Sequence, residues 1–144
     1  MTGELVWQND VPVVYESYLN AGLLASPLLG TGELEGMVIF NVCKTTSHAA
    51  GTMLALDTKT GKPIWTRAMT AYSWSSPLFI HSDDGETYGI VCDSAGVMHL
   101  FDPKTGEDIS TVSIGANCEA SPAAFDDMIV VATYDQKIFG VKIS

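Results

Sequence analysis

The sequence contains an internal repeat, and this repeat limits the possible folds more than any other feature does. The stretch GTMLALDTKTGKPIW, residues 51–65, returns as GVMHLFDPKTGEDIS at residues 96–110. Asp57 and Asp102 are 45 positions apart, and Gly61 and Gly106 keep the same spacing. A repeat of this size is one supersecondary unit, which buries its apolar face only against neighbouring units. We therefore expect a row of similar units along the chain.

A Ser-Pro pair marks the start of each unit, at Ser26, Ser76 and Ser121. After each pair come a short apolar run, an acidic or Gly-rich turn, and a second apolar run with β-branched residues. Further turns and runs complete the unit. Short β-branched runs separated by Gly, Asp and Pro predict antiparallel hairpins, with four strands in a unit and no helix. Four antiparallel strands repeated about every 40–50 residues are typical of the blades of a β-propeller.

The repeat resembles that of the quinoprotein-type (PQQ-like) β-propellers, in which Gly-x-x-x-Ala-Leu-Asp-x-x-Thr-Gly-x-x-x-Trp recurs. The first copy matches this pattern at Gly51, Ala55, Leu56, Asp57, Thr60, Gly61 and Trp65. The second copy matches it at Gly96, Asp102, Thr105 and Gly106, with Ser110 in place of the tryptophan. The resemblance covers essentially the whole chain. It implies that Trp7 and Trp65 are structural residues that dock between blades, and it does not specify a function, because one fold hosts many activities.

We predict one partial propeller over residues 1–144. Its predicted parts are an orphan fourth strand at 2–8, blades at 25–68 and 75–114, and a three-stranded blade at 120–144. The first strand is expected to complete the last blade, within the chain or in a second copy. Two hypotheses account for this order: the chain is the C-terminal part of a longer propeller, which we favour, or copies exchange strands. In the second case two arcs of three blades would form a six-bladed ring.

The composition argues against two classes of partner. The chain has 17 acidic and 7 basic residues, a formal net charge of −10. Nucleic acids and anionic membrane surfaces attract clustered Lys and Arg, so neither is an expected partner. Apolar runs such as MVIF fall far short of the roughly 20 residues that span a bilayer, so no membrane insertion is expected. The first residues, MTGELVWQND, are not expected to act as a secretion signal, and an extracytoplasmic location is expected only if the chain belongs to a longer exported protein.

Three short patterns are given structural interpretations. Cys43, Cys92 and Cys118 lie in or near apolar runs and are expected to be buried, and no Cys/His spacing indicates zinc. DTKTG is expected to be a β-turn, with Asp57 accepting from backbone amides and Gly61 at positive φ. GTGELEG has the wrong spacing for a dinucleotide-binding loop.

The connections between blades and the turns between second and third strands are expected to share one face of the propeller. We predict that this face binds a protein or a small ligand. Its aromatic and polar residues are Tyr15, Tyr18, Asn20, His48, Tyr72, Trp74, Asn117 and Glu119. The alternative is that these side chains only pack the loops.

The predicted function is that of a non-catalytic scaffold or binding module without a cofactor. Quinoprotein enzymes of the resembling family use PQQ with a calcium ion, a stacking tryptophan and a catalytic aspartate, and none of these roles maps onto a matching motif here. The alternative is an accessory or substrate-recognition lobe of a larger hydrolase or quinoprotein dehydrogenase, whose catalytic residues lie outside this chain. An envelope scaffold is a third hypothesis, and it would need an upstream export signal.

Overall fold

The structure is a computed structural model, and it describes residues 2–14, 16 and 18–143. Within these residues eleven strands form three antiparallel sheets, each in chain order. Sheet 1 contains β1 (Leu28–Leu29), β2 (Met37–Cys43), β3 (Gly51–Asp57) and β4 (Pro63–Met69). Sheet 2 contains β5 (Leu78–His81), β6 (Thr87–Cys92), β7 (Val97–Phe101) and β8 (Asp108–Ser113). Sheet 3 contains β9 (Ala123–Phe125), β10 (Met128–Ala132) and β11 (Ile138–Lys142).

The prediction of an all-β fold built from four-stranded antiparallel units is confirmed. The only helical element in the described part of the chain is a single 3-10 turn, Gly32–Leu34, inside the GTGELEG stretch. Sheet 3 has three strands, with β11 at its edge. Residues 2–8 belong to no ladder of the three sheets, so this chain does not itself supply the fourth strand of sheet 3.

The three sheets pack face to face in series. Ile39 and Ala55 of sheet 1 share a buried apolar cluster with Phe101 of sheet 2. On the opposite face of sheet 2, Ile90 shares a second cluster with Ile129 of sheet 3. Successive side chains of a strand point to opposite faces, and sheet 2 is covered on both. This explains why β6 is an almost continuous apolar run and not an alternating one.

Two tryptophans pack on the glycines of the repeated turns. Trp65 Nε1 donates to the carbonyl of Pro103 at 2.9 Å. Its ring covers Gly106, where a Cβ would come within 2.6 Å of the indole. Trp7 repeats this contact one unit earlier, with Gly61 beneath its ring. The predicted structural role of both tryptophans is confirmed.

The Asp-x-x-Thr-Gly turn forms as predicted. Asp57 Oδ1 accepts from the backbone amides of Lys59 at 3.1 Å and of Thr60 at 2.7 Å. The hydroxyl of Thr60 also donates to Asp57 Oδ1, and these bonds lower the pKa of Asp57. Gly61 follows with φ +67°, a left-handed conformation that glycine adopts without strain.

The Ser-Pro markers have a structural explanation. The backbone amide of Ser26 donates to Ser76 Oγ at 2.9 Å, and the amide of Ser76 donates to Ser121 Oγ at 3.0 Å. Two successive bonds therefore link the three marker serines. This chain of bonds joins the starts of β1, β5 and β9 at the inner edge of the three sheets, the edge that would line a propeller channel.

Cys43, Cys92 and Cys118 are free and fully buried, which confirms their predicted packing role. Among the described residues, no helix has the length and apolar character that crossing a membrane demands.

Candidate binding site on the loop face

The loops that follow β2, β6 and β10 and the connections between sheets form one surface, which we call the loop face. It comprises residues 44–50, 70–77, 93–96, 114–122 and 133–137. Backbone bonds join these loops across the sheets: Tyr72 N donates to Ala49 O at 2.7 Å, and Ser94 N donates to Tyr72 O at 2.8 Å. Tyr134 N donates to Asn117 O at 3.0 Å. Side chains from neighbouring sheets are thereby held next to one another.

A lysine lies over two aromatic rings on this face. Lys44 directly follows β2, has φ 58° and is only 8% exposed. Its Nζ is 5.2 Å from the ring centroid of Tyr72 and 5.1 Å from that of Trp74. No carboxylate of the described residues lies within ion-pair distance of this amine. The two rings therefore provide its cation–π contacts, and such contacts reach about 2 kcal/mol when the cation is desolvated.

A carboxylate lies close to this aromatic pair. Glu119 accepts a hydrogen bond from Asn117 Nδ2 at 2.9 Å and another from the hydroxyl of Tyr134. The hydrogen bond to Glu119 raises the pKa of Tyr134, while burial and the charge of Glu119 raise the pKa of Tyr72. Both phenols thus stay neutral near pH 7. The loop face thus presents two partly exposed aromatic rings and an anion, with the buried amine of Lys44 packed against the rings.

Buried polar contacts hold the aromatic segment in place from below. Asn41 Nδ2 donates to the carbonyl of Ser75 at 2.8 Å, and Ser73 Oγ donates to the carbonyl of Cys92 at 2.6 Å. The indole N–H of Trp74 has no oxygen or nitrogen acceptor among the described residues, and its polar neighbour is the Cys43 thiol, a weak acceptor. Burial raises the pKa of Cys43. The rings are thus fixed by the fold before any ligand arrives.

The predicted site residues fall into two groups. Tyr72, Trp74, Asn117 and Glu119 lie in the cluster just described, as neighbours of Lys44. The hydrogen bonds and ring contacts of the described residues do not join this cluster to the second group.

The second group is centred on Glu16. The carboxylate of Glu16 is 3.3 Å from His48 Nε2, and its hydrogen bond raises the pKa of the exposed Tyr18. Asn20 is exposed, and Tyr15 lies outside the described residues. That either group binds a ligand stays a prediction.

Lys44 and Tyr134 were missed by sequence reasoning. Each follows a second strand of a sheet, Lys44 directly and Tyr134 after one residue, and that shared position is the signal that could have revealed them. A lysine after an apolar strand is ordinarily a solvated side chain, and only the folded loops show that Tyr72 and Trp74 cover it.

A second polar cluster was also missed, and it joins sheets 1 and 2. Arg67 Nη2 is 2.5 Å from Asp108 Oδ2, and Arg67 Nη1 donates to the carbonyl of Gly106 at 3.0 Å.

His99 lies between two carboxylates, with Nδ1 2.9 Å from Asp108 and Nε2 3.1 Å from Asp93. Burial alone would lower the pKa of His99, but the bonds to Asp93 and Asp108 raise it above its ordinary 6.5. Burial alone would raise the pKa of Asp93, but its bond to His99 and two backbone amides lower it. The cluster lies between sheets 1 and 2, which indicates a structural role in holding the two sheets together.

In the part of the chain that the structure describes, no three His, Cys, Asp or Glu side chains form a group that could hold a metal ion.

No protein-family model and no curated protein sequence matches this chain. Among solved structures it is similar to BamB from Moraxella catarrhalis, with a TM-score of 0.63 and 23% identity over 87% of this chain and 35% of that chain. The chain thus spans about a third of the length of BamB. It also resembles the computationally designed protein Ika4, with a TM-score of 0.49 and 8% identity over 96% of this chain and 100% of that chain. The designed protein Ika8 gives a TM-score of 0.40 and 11% identity over 84% of this chain and 46% of that chain. Both similarities are too weak to support an inference. The likeness to BamB, a β-propeller, shows that the three sheets are blades of a β-propeller fold, as the repeat predicted.

Proposed function

We propose that this chain is part of a PQQ-like β-propeller and acts as a non-catalytic binding module that takes a protein segment or a small ligand on its loop face. The PQQ-like assignment is supported by the repeated contact between a tryptophan and a Thr-Gly turn. Trp7 packs on Gly61 and Trp65 packs on Gly106, with matching indole-to-carbonyl bonds of 2.9 Å.

The observation that carries the binding role is Lys44 held over Tyr72 and Trp74 beside Glu119. Aromatic side chains that are half buried and fixed in place lose little entropy on binding, and they are enriched among the residues that contribute most to interfaces. The carboxylate of Glu119 near the same rings adds a directional contact for a partner with a cationic group, while the buried Lys44 packs against the rings. An extended peptide segment with an apolar side chain and flanking charges has this chemistry.

The chemistry of the cluster supports binding more than catalysis. The nearest nucleophile is the Cys43 thiol, and burial raises its pKa, which keeps it protonated and unreactive near neutral pH. Tyr72 and Tyr134 likewise have raised pKa values, and the hydroxyl of Tyr134 donates a hydrogen bond to Glu119.

The test is a selection of random peptides displayed on phage against the 144-residue chain, followed by Kd measurements on the enriched peptides. Trp74→Ala should raise the Kd of the best peptides by about 30-fold, because a central aromatic side chain of the interface is lost. Glu119→Gln should weaken the binding of peptides that carry a cationic residue, and Lys44→Met should weaken binding through the loss of its cation–π contacts with the two rings. The control is Phe125→Ala, which removes an aromatic side chain that is 81% exposed on β9, away from the loop face.

Two outcomes would contradict the proposal. In the first, the enriched peptides bind all loop-face variants as tightly as the Phe125→Ala control. In the second, titration with PQQ and Ca²⁺ gives saturable binding that Trp74→Ala abolishes, which would assign the loop face to a quinoprotein enzyme.

A further inference from the structure

The two ends of the row of sheets present apolar faces of different kinds. On sheet 1 the face turned away from sheet 2, which we call the leading face, comprises Val38, Phe40, Leu54 and Leu56. Trp7, Val11 and Val13 pack over part of it. A small cavity of about 80 Å³ remains between this segment and the strands. The leading face is therefore partly covered by the residues that precede sheet 1.

On sheet 3 the face turned away from sheet 2, which we call the trailing face, is open. Met128 pairs with Phe125, and Val130 lies two residues further along β10 on the same side. Ile138 projects from β11 on this side too, since its neighbour Phe139 packs in the core between sheets 2 and 3. Phe125 is 81% and Ile138 is 78% exposed.

Residues 2–8 have the position of an outer strand but belong to none of the three sheets. Trp65 belongs to β4, the outer strand of sheet 1, and docks on the next sheet. Trp7 docks on sheet 1 in the same way, so residues 2–8 lie where the outer strand of a preceding sheet would lie. These residues pair with no strand, and Leu5 and Val6 are 81% and 75% exposed. Sheet 3 in turn has a free edge at β11.

We propose that a second copy of this chain covers the trailing face. The leading face of the second copy packs on the trailing face of the first, and residues 2–8 of the second copy pair with β11. The leading face of the first copy packs in the same way on the trailing face of the second. These two contacts join two arcs of three sheets into one six-sheet ring. This heterologous contact closes on itself with two copies, leaves no open sheet face and completes the three-stranded sheet at β11.

The repeat indicates which surface covers the trailing face. Sheet 1 packs on sheet 2 and sheet 2 on sheet 3 through the same sequence of apolar faces. The surface that continues this order after sheet 3 is another leading face with its own docked tryptophan. Each sheet face presents about 300 Å² in projection, so burying both faces and the strand edge of each copy approaches the ~800 Å² per partner of a stable interface.

The test is the mass of the 144-residue chain in solution by light scattering, over a range of concentrations. The expected value is twice the 15.4 kDa of one copy. Ile138→Asp on the trailing face and Leu5→Asp on residues 2–8 should each shift the dimer to one copy with an unchanged circular dichroism spectrum. Both side chains are exposed in one copy, so neither substitution should unfold it. Ile109→Asp is the matched control: it places the same charge at an isoleucine 53% exposed on β8, outside both faces, and should leave the dimer intact.

Mixing separates a head-to-tail contact from other pairings. Equal amounts of Leu5→Asp and Ile138→Asp chains should form a mixed dimer, because one intact trailing face then meets one intact leading face. A mass of one copy, or of three or more, for the unmodified chain would overturn the proposal. A dimer that Ile138→Asp abolishes and Leu5→Asp preserves would also overturn it, since the trailing faces would then pair with each other.

Discussion

The two clefts between the sheets are closed in different ways. Between sheets 1 and 2, Trp65 of the outer strand seals the rim, and the Arg67–Asp108–His99 contacts lie beside it. Between sheets 2 and 3, Ser110 takes the place of the tryptophan: Trp65 pairs with Ala55, and Ser110 pairs with Leu100 at the equivalent register. A cavity of about 210 Å³ remains there, lined by Ile90, Met98, Leu100, Ser110, Val112, Val141, Lys142 and Ile143.

This difference separates two contributions to the packing of blades. Both clefts have fully buried apolar side chains at their centre, such as Ile39 in the first and Ile90 in the second. Among the residues that the structure describes, the aromatic and ionic contacts at the rim occur only in the first cleft. The apolar centre is thus common to both clefts, and the contacts at the rim of the first cleft should add to stability through a few identifiable side chains.

The largest effect on the free energy of unfolding is expected from removing the indole of Trp65 at the rim of the first cleft. Trp65→Ala should lower the free energy of unfolding by about 3 kcal/mol, the low end for a large aromatic side chain because Trp65 is only half buried. Trp65→Phe keeps a ring over Gly106 but loses the bond to Pro103, and it should cost about 1 kcal/mol. Urea denaturation at one fixed protein concentration measures both values. If Trp65→Ala costs no more than Ser110→Ala, the tryptophan does not seal the cleft.

The glycine under the ring should respond next most strongly. Gly106 has φ +78°, and a Cβ there would come within 2.6 Å of Trp65. Gly85 has φ +89° and open space around it, so Gly85→Ala reports only the strain of the left-handed backbone, about 1–2 kcal/mol. Gly106→Ala should cost about 1–2 kcal/mol more than this control, since the ring must shift. Equal losses for the two variants in the same urea experiment would show that the contact with Trp65 contributes nothing.

The ionic part of the first cleft should make stability depend on pH. The pKa of His99 is raised by folding, so its contribution is complete below pH 6.5 and is lost as the pH rises through the folded pKa. The pKa of Asp93 is lowered by folding, so its contribution is complete above pH 3.8 and is lost as the pH falls through the folded pKa. Both act fully between these values.

His99→Gln removes the group that titrates on the alkaline side. Unfolding free energies measured from pH 5 to 9 should decline above pH 6.5 in the unmodified chain and should lose that decline in the variant. His81→Gln is the control, because His81 is exposed and bonds to Thr87 and not to a carboxylate. A decline that persists unchanged in His99→Gln would assign the pH dependence to other groups.

The repeat made most of the fold predictable from the sequence, because turns and apolar runs report local structure. Asp57 and Gly61 marked a turn whose geometry depends on neighbouring residues alone, and Trp7 and Trp65 followed from the same period. The candidate site was predictable only in part. Trp74 and Glu119 were found because they lie in the connections between predicted blades. The partners of Lys44 come from a segment about thirty residues away, and no local pattern encodes that contact.

The smallest expected effect comes from placing a tryptophan in the second cleft, at the position equivalent to Trp65 in the first. Ser110→Trp places an indole in the 210 Å³ cavity between Leu100 and Val141 and should raise the free energy of unfolding by about 0.5–1 kcal/mol. The gain should be smaller than the loss in Trp65→Ala, since it comes from apolar burial alone. Ser113→Trp, on the same strand but outside the cavity lining, is the control and should give no gain. If both variants gain equally, or if Ser110→Trp destabilises the chain, the second cleft is not shaped for an indole, and the two clefts then differ in geometry and not only in one side chain.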